Sequence, residues 1–292
     1  MNPADETLSA VIESPSISAS AKYGSELRMW LGVLAAIAAL CVLLPMFSAI
    51  GPEDTDWQNL SVAPDLANGH WLGTDAIGRD VLIRACYGGR LSLLIGFAAS
   101  LIALIVGTAY GVLAGYCGGL IESAMMRLLD VFSALPFLLL VVLLLTLFER
   151  SLPLLLAVIG GYVWMDFARV IRAETGRLRV APFVLAAQAL GASHLRIMLR
   201  HIVPNLLGLA LVYLSLLVPN AILVESFLSF LGLSVDEPSV SWGAMLFDGT
   251  LEMDSAPWTL LVPAILLSLT LIASQSLGEA WRVRLDPRAS RA

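Results

Sequence analysis

Six long apolar stretches alternate with polar segments along the chain. They cover residues 30–50, 91–115, 131–148, 154–167, 206–224 and 258–277 and carry almost no charged side chains. About 20 apolar residues in a helix cross the hydrocarbon core of a membrane, which is roughly 30 Å thick. The pattern predicts an all-α integral membrane protein with a six-helix transmembrane domain at residues 29–284. We expect a disordered cytoplasmic tail at 1–28 and a cytoplasmic C-terminal tail at 285–292.

Composition narrows the possible chemistry. Hydrophobic residues make up 58% of the chain and charged residues 14%, which is typical of a membrane protein. The single lysine, Lys22, is not part of a Gly-Lys-Ser/Thr sequence, so a nucleotide-binding P-loop is excluded. The three cysteines are odd in number and lie in or beside apolar stretches, where we interpret them as packing residues. We therefore predict no catalytic residue, no metal, no cofactor and no nucleic acid partner.

The distribution of basic residues predicts the orientation. Six spans place both termini on one side, and that side carries 13 of the 17 Lys and Arg residues. Loop 51–90 opposes this trend locally, but the segment 225–257 carries six acids and no basic residue. The positive-inside rule therefore predicts that both termini and the loop at 166–205 are cytoplasmic.

Residues 183–205 lie in that basic loop and have the pattern of a short helical hairpin. Pro182 suits the first position of a helix, Gly191 permits a sharp turn, and Ser193 can cap a second helix that we expect to end at Pro204. The middle of the segment is rich in small residues and the second half contains His194, Arg196 and Arg200. This pattern alone is equally compatible with an ordinary loop helix and with a docking surface for another protein.

The second span carries small residues at every fourth position: Ala99, Ala103, Gly107, Gly111 and Gly115. Tandem small residues at this spacing let a neighbouring helix approach backbone to backbone. We predict that Gly107, Gly111 and Gly115 form a helix-packing face, although the pattern does not identify the neighbouring helix.

No Asp, Glu, Lys or Arg lies centrally in any predicted span, which argues against a proton-coupled secondary transporter. Such transporters usually bury a carboxylate on their pathway. Glu225 and Asp166 lie only at predicted span ends, where we expect a solvated or capping role. An integral-membrane enzyme is also disfavoured, because the three histidines are scattered along the sequence.

The hairpin segment resembles the EAA loop of the permease subunits of binding-protein-dependent ABC importers. That motif reads Glu-Ala-Ala, then Gly, then a hydrophobic residue followed by Pro. Here the motif positions are Leu185, Ala186, Ala187, Gly191 and Pro204, so the family's glutamate is replaced by leucine.

Further motifs resemble the second permease subunit of the dipeptide/oligopeptide/nickel branch. The outer-loop signature of that branch matches Gly73, Thr74, Asp75, Gly78, Arg79 and Asp80. Other similar segments are 87–93, 126–130, 164–172, 225–233, 241–243, 256–258 and 285–288. The resemblance extends from about residue 30 to residue 288, and the motifs occur in the family's order.

The resemblance implies a type I permease fold and a passive, non-catalytic role in a bacterial inner-membrane complex. Its expected partners are a second homologous permease, two cytoplasmic ABC ATPases, an extracytoplasmic peptide-binding protein and membrane lipid. The hairpin would be the ATPase-coupling loop, formed by Leu185, Ala186, Ala187, Gly191, Ala192, Ser193, His194, Arg196, Arg200 and Pro204. The expected substrates are di- or oligopeptides, with nickel or another small solute as the alternative.

Overall fold

The chain folds into a bundle of long helices. The computed structural model describes residues 15–65, 69–148, 150–233, 235 and 238–285. The helices are α1 (Pro15–Phe47), α2 (Val81–Cys117), α3 (Gly119–Ala134), α4 (Phe137–Leu147), α5 (Leu152–Arg179), α6 (Pro182–Ala189), α7 (His194–Ile197), α8 (Val203–Phe230), α9 (Trp242–Leu251) and α10 (Trp258–Leu285). A five-residue π-helical turn, Met198–Ile202, joins α7 to α8. The prediction of an all-α membrane fold is confirmed.

Five of the described helices are long and apolar enough to cross a membrane by themselves. They are α1, α2, α5, α8 together with α7, and α10. A sixth crossing is reached only when α3 and α4 are counted together, and these two helices meet at a bend of 78°. The predicted count of six spans therefore depends on a broken helix pair.

The third predicted span, 131–148, is not one continuous helix. Leu135 has extended backbone angles (φ −73°, ψ 130°), as expected for a residue that precedes proline, and the chain bends at Pro136. The 11 residues of α4 extend only about 16 Å at 1.5 Å per residue, about half of the hydrocarbon thickness. The polar residues at 116–130, between the second and third apolar stretches, lie largely in α3.

Helix α2 is the centre of the bundle, since it packs along α5 and also contacts α1, α8, α9 and α10. Its first residue is Val81, ten residues before the predicted start of the second span, because Asp80 caps it: the Asp80 carboxylate accepts the Ile83 N–H at 2.9 Å. Helix α3 is attached to α5 by ion pairs from Arg172 to Glu122 (3.0 Å) and from Arg169 to Asp130 (3.3 Å).

Arg90 lies inside α2, not in the preceding loop, and its guanidinium group hydrogen-bonds to the backbone of α1. Pro45 lies within α1 and has no N–H to donate to the carbonyl of Cys41, four residues earlier. The Arg90 Nε donates to that carbonyl at 2.7 Å, and a second guanidinium nitrogen donates to the Val42 carbonyl. Arg90 thereby replaces the helical hydrogen bond that Pro45 removes.

The two predicted tails lie only partly within the described residues. Helix α1 begins at Pro15, within the stretch 1–28 that we expected to be disordered, while residues 1–14 lie outside the described part of the chain. At the other end α10 reaches Leu285, and residues 286–292 of the predicted C-terminal tail lie outside it.

Candidate functional site

Within the segment 182–205, the first helix and the turn of the expected hairpin are formed by residues 182–192. Pro182 is in the first turn of α6, where its missing N–H costs nothing. The turn after α6 is a Schellman motif: the Gly191 N–H donates to Gln188 O at 2.9 Å and the Ala192 N–H to Ala187 O at 3.0 Å. Gly191 has a φ of +78°, which a residue with a side chain rarely adopts. The sequence therefore ends α6 through a glycine.

The second half of the segment differs from our expectation. Ser193 occupies the N-cap position of α7, but among the described residues its side chain makes no capping hydrogen bond. The helix also does not end at Pro204. Instead, the π-helical turn lets the Val203 N–H reach Met198 O, five residues back, and the chain continues directly into α8. A wider turn accommodates the proline, whose ring would clash with a carbonyl in a regular α-helix.

The hairpin segment has one buried and one exposed face. Val184, Ala187, Ile197 and Ile202 are buried in the main hydrophobic core. The exposed face carries four leucines, Leu185, Leu190, Leu195 and Leu199, which are 50–88% exposed. Arg196 and Arg200 are also exposed, and within the described residues neither forms an ion pair. We call this face, made of the four leucines and two arginines, the leucine–arginine face.

The small residues of the segment lie on both faces. Ala186, Gly191 and Ser193 are exposed and Ala192 is half-buried, whereas Ala187 faces the core. The exposed leucines of this face stand beside two arginines that form no ion pair among the described residues. Its geometry fits the docking of another protein chain.

One contact that the sequence did not reveal joins the hairpin to α2. The Tyr116 hydroxyl lies 2.9 Å from His194 Nδ1, and the two rings meet edge to face at 5.7 Å. Tyr116 is in the last turn of α2 and is buried. This contact attaches α7 to the end of α2.

The stripe of small residues in α2 faces α5. A Cβ at Gly111 would lie 2.6 Å from Ala168 O, and one at Gly107 would lie 2.7 Å from the Phe167 ring. A Cβ at Gly115 would overlap the carbonyl of Arg172. The backbones of α2 and α5 are thus in contact along this stripe. The structure identifies α5 as the neighbour that the sequence could not name.

At the opposite end of the bundle, the Gly73–Asp80 motif forms a buried polar cluster. Asp75 Oδ2 accepts from Arg79 Nε at 2.7 Å and from Arg84 Nη1 at 2.9 Å. The second oxygen, Oδ1, accepts the backbone N–H groups of Arg79 and Ile77. The motif residues Thr74, Asp75, Arg79 and Asp80 are each at most 9% exposed, so they do not form an outer binding face themselves.

The same cluster ties the loop to two later helices. The Trp258 indole N–H donates to Thr74 O at 2.9 Å, and the Ala76 N–H donates to the Glu252 carboxylate at 3.2 Å. Burial raises the pKa of Glu252, because the charged carboxylate loses water. The loop therefore fixes the ends of α9 and α10 to the start of α2.

Asp56 stabilises the loop from a solvent-accessible position. Its carboxylate accepts from the Asn59 side chain at 2.7 Å and from the Gln58 N–H at 3.0 Å. These hydrogen bonds, with that of Asn59 the largest cause, lower the pKa of Asp56.

Our expectation for Glu225 was wrong. Helix α8 continues to Phe230, and the Glu225 side chain is completely buried. It accepts hydrogen bonds from Ser229 at 2.7 Å and from Ser92 at 2.9 Å, and Ser92 in turn accepts the Trp242 N–H at 3.3 Å. The carboxyl group thus joins α8, α2 and α9. No local pattern signals this role, since Ser92 on α2 lies 133 residues before Glu225 in the sequence.

The polar clusters do not form a metal site. Within the described residues, no group of three or more His, Cys, Asp or Glu side chains is placed to hold a metal ion. The dominant feature of the molecule is a helical bundle with a buried polar cluster at one end and the leucine–arginine face at the other.

Comparison with known proteins shows that the sequence is similar to membrane transport components. Residues 107–291 match the family described as binding-protein-dependent transport system inner membrane component. The chain is 49% identical to the oligopeptide transport system permease protein OppC of Escherichia coli K12, with 88% of this chain and 85% of the relative aligned. It is 46% identical to the OppC protein of Haemophilus influenzae, with 88% and 82% aligned.

A third relative, the dipeptide transport system permease protein DppC of Bacillus subtilis, is 40% identical over 88% of this chain and 82% of its own length. The family match covers more than half of the chain and includes the hairpin, α8, α9 and α10. The chain is a multi-pass membrane protein that belongs to the family of binding-protein-dependent transport system inner membrane components.

Proposed function

We propose that this chain is a non-catalytic permease subunit of an ATP-driven importer of di- and oligopeptides. The family membership and the names of the relatives support the transport role and the substrate class. The observation that carries the coupling role is the leucine–arginine face. It is exposed, apolar and positively charged, while the opposite face of the same segment is anchored in the core.

The leucine–arginine face is the docking surface for a cytoplasmic ABC ATPase. Leu190, 88% exposed, lies at the turn of the hairpin, where it can enter an apolar pocket of the partner. Arg196 and Arg200 can form charge-assisted hydrogen bonds to partner carboxylates. Leu185 is half-exposed in the position of the family's glutamate, so this docking surface is more apolar than the motif implies.

Closure of two ATPases would displace the hairpin as a rigid body. The contact of His194 with Tyr116 and the continuous π turn into α8 carry that displacement to two spans. The close backbone contact of α2 with α5 carries it to a third. The spans then alternate between inward-open and outward-open arrangements.

The proposed orientation places the hairpin and both termini in the cytoplasm of a bacterium and the Gly73–Asp80 end outside the inner membrane. A peptide-loaded binding protein approaches the outer end, and a second homologous permease completes the pathway. Lipid surrounds the remaining apolar surface. The proposal follows the positive-inside distribution of basic residues.

The test is ATP-dependent uptake of a labelled tripeptide by vesicles that contain this chain, a second permease, two ATPases and a binding protein. We expect Leu190→Asp to abolish both uptake and co-purification of the ATPases while the chain still inserts. The matched control is Leu251→Asp, which places the same charge on another exposed leucine, 74% exposed, at the opposite end. It should leave ATPase binding intact.

Two results would overturn the proposal. Normal ATPase binding by the Leu190→Asp variant would show that the hairpin is not the docking surface. Uptake of radioactive nickel in place of the tripeptide by the complete wild-type complex would replace the proposed substrate class.

A further inference from the structure

A groove with polar side chains opens between the two spans α8 and α10. Its volume is about 680 Å³, and its polar lining consists of Asn220, Gln275, Ser276 and Glu279. Leu216, Pro219 and Leu223 complete the walls. Both helices have a high mean hydropathy, and these four polar residues are grouped at one groove.

The two carboxamides in this groove have no partners in the described part of the chain. Asn220 and Gln275 are both exposed, and neither side chain makes a hydrogen bond to another described residue. Asn220 lies within the apolar stretch 206–224 and Gln275 within 258–277, both of which we predict to cross the membrane. An amide that faces lipid inside such a stretch would leave donors and acceptors unsatisfied, which costs several kcal/mol.

The backbone beside the groove adds a further polar group. Pro219 lies inside α8 and cannot donate to the carbonyl of Ser215, four residues earlier. On α10, Gly278 faces Ser215: a Cβ at this glycine would lie 2.7 Å from the Ser215 hydroxyl. The two helices are therefore close at Gly278. Next to this contact, the groove provides the two carboxamides.

We propose that this groove is a segment of the translocation pathway and that Asn220 and Gln275 hydrogen-bond the main chain of the passing peptide. The inference rests on the proposed function and deepens it by naming residues that line the path. A carboxamide offers one acceptor and two N–H donors, which match the N–H and C=O groups of a peptide bond. Polar residues inside membrane spans typically face a water-filled path.

The chemistry of the groove fits a pathway that accepts many peptides. Main-chain groups are common to all peptides, so recognition by carboxamides does not depend on the peptide's side chains. The carboxamides are uncharged, and their hydrogen bonds to a hydrated peptide are weak. Weak contacts let the peptide leave the groove as readily as it enters. The one acid, Glu279, is 3.8 Å from Arg282 and lies toward the hairpin end of α10.

The first experiment measures water access in the assembled complex. Cysteine is placed at Asn220 or Gln275 in a chain whose exposed Cys117 is replaced by serine, while the buried Cys41 and Cys86 are kept. Matched controls place cysteine at Leu211 on α8 and Leu269 on α10, which are exposed but do not line the groove. A small charged methanethiosulfonate reacts with thiolates, which form only where water reaches the sulfur.

We expect the two groove cysteines to react faster than the controls by about tenfold or more, because the reactive thiolate forms only where water reaches the sulfur. Their modification should block peptide uptake. Equal, slow reaction at groove and control positions would show that lipid covers the groove and would overturn the inference.

The second experiment removes the carboxamides without changing their size greatly. Asn220→Leu and Gln275→Leu should each lower peptide uptake about fivefold, the effect of losing one hydrogen bond, while ATPase binding remains normal. Loss of the second permease from the purified complex would overturn the pathway role and assign the groove to the subunit interface. Unchanged uptake would also overturn it.

These outcomes are separable from a failure of the proposed function. If the wild-type complex imports no peptide, the proposed function fails. If it imports peptide but the groove cysteines are unreactive, only the pathway assignment fails.

Discussion

The Gly111→Ala substitution tests whether the contact between α2 and α5 is made by the two backbones. The added methyl group would lie 2.6 Å from Ala168 O and 2.8 Å from two atoms of the Ile171 side chain. Carbon atoms in contact are normally about 3.5–4.0 Å apart, so the new methyl group requires a displacement. Because the nearest atom belongs to the backbone, the helices themselves must separate.

The expected cost follows from that displacement. A gap of about 0.5–1 Å along a packed face forfeits a quarter to a half of its dispersion energy, and overpacking costs about 1–3 kcal/mol in measured cases. Alanine recovers up to about 1 kcal/mol through its higher helix propensity. We therefore expect Gly111→Ala to lower the free energy of unfolding by about 1–2 kcal/mol, or roughly 5- to 30-fold in the equilibrium constant.

Two other glycines make the prediction quantitative. Gly107→Ala should cost less than Gly111→Ala, because its nearest neighbour is the ring of Phe167, 2.7 Å away, and the backbone carbonyl of Trp164 is farther, at 3.1 Å. Gly161→Ala on α5 is the matched control, since no atom lies within 4 Å of the position that its added methyl group would occupy. The control should be unchanged or slightly more stable.

The assay is equilibrium unfolding in mixed micelles titrated with a denaturing detergent, with tripeptide uptake measured in parallel. The predicted order of stability, from highest to lowest, is Gly161→Ala, then Gly107→Ala, then Gly111→Ala. Equal stability of all three variants would refute the conclusion that backbone contact sets the distance between α2 and α5.

Three further predictions concern the loop and the orientation. Gly78→Ala should destabilise the loop by about 1–3 kcal/mol, because its φ is +84° and a Cβ would overlap Asp56 O. The control is Gly69→Ala, which has a φ of +79° but open space around the added methyl group, so it should show only the backbone strain. A proteolysis assay compares the two variants. Asp56→Asn should lower the free energy of unfolding at neutral pH. The pKa of Asp56 is lowered in the folded chain, so its carboxylate stabilises the fold only while it is ionised. In unfolding curves the difference from wild type should therefore vanish as the pH falls below about 4. In whole cells, an impermeant maleimide should label Ser239→Cys and not His194→Cys; the reverse pattern would invert the proposed orientation.

Periodicity and composition predicted the membrane class and most of the spans correctly, because about twenty consecutive apolar residues have few alternatives to crossing a bilayer. Local chemistry likewise indicated the turn at Gly191, where only a residue without a side chain adopts the required φ easily. The third span was predicted as continuous, since hydropathy does not register the extended conformation that Pro136 imposes on Leu135.

The roles of the polar residues were harder to predict from the sequence. Glu225 was interpreted as solvated because it stands at the end of an apolar run, yet Ser92 and Ser229 satisfy it in the interior. The Gly73–Asp80 motif was identified as an outer-loop signature, and its pattern did not indicate that most of its side chains are buried. In both cases part of the enclosure, Ser92 for Glu225 and Trp258 for the motif, comes from a helix distant in sequence, and local pattern carries no information about it.

The sequence by itself determined that the chain is a helical membrane protein, that residues 183–205 contain a helix ended by a glycine, and that α2 has a face of small residues. These properties depend on neighbours within one or two turns. Only the tertiary structure decided that α5 covers that face, that Tyr116 holds His194, and that the leucine–arginine face points away from the core. Those contacts arise when helices distant in sequence pack together, and burial, unlike periodicity, is a property of the whole bundle.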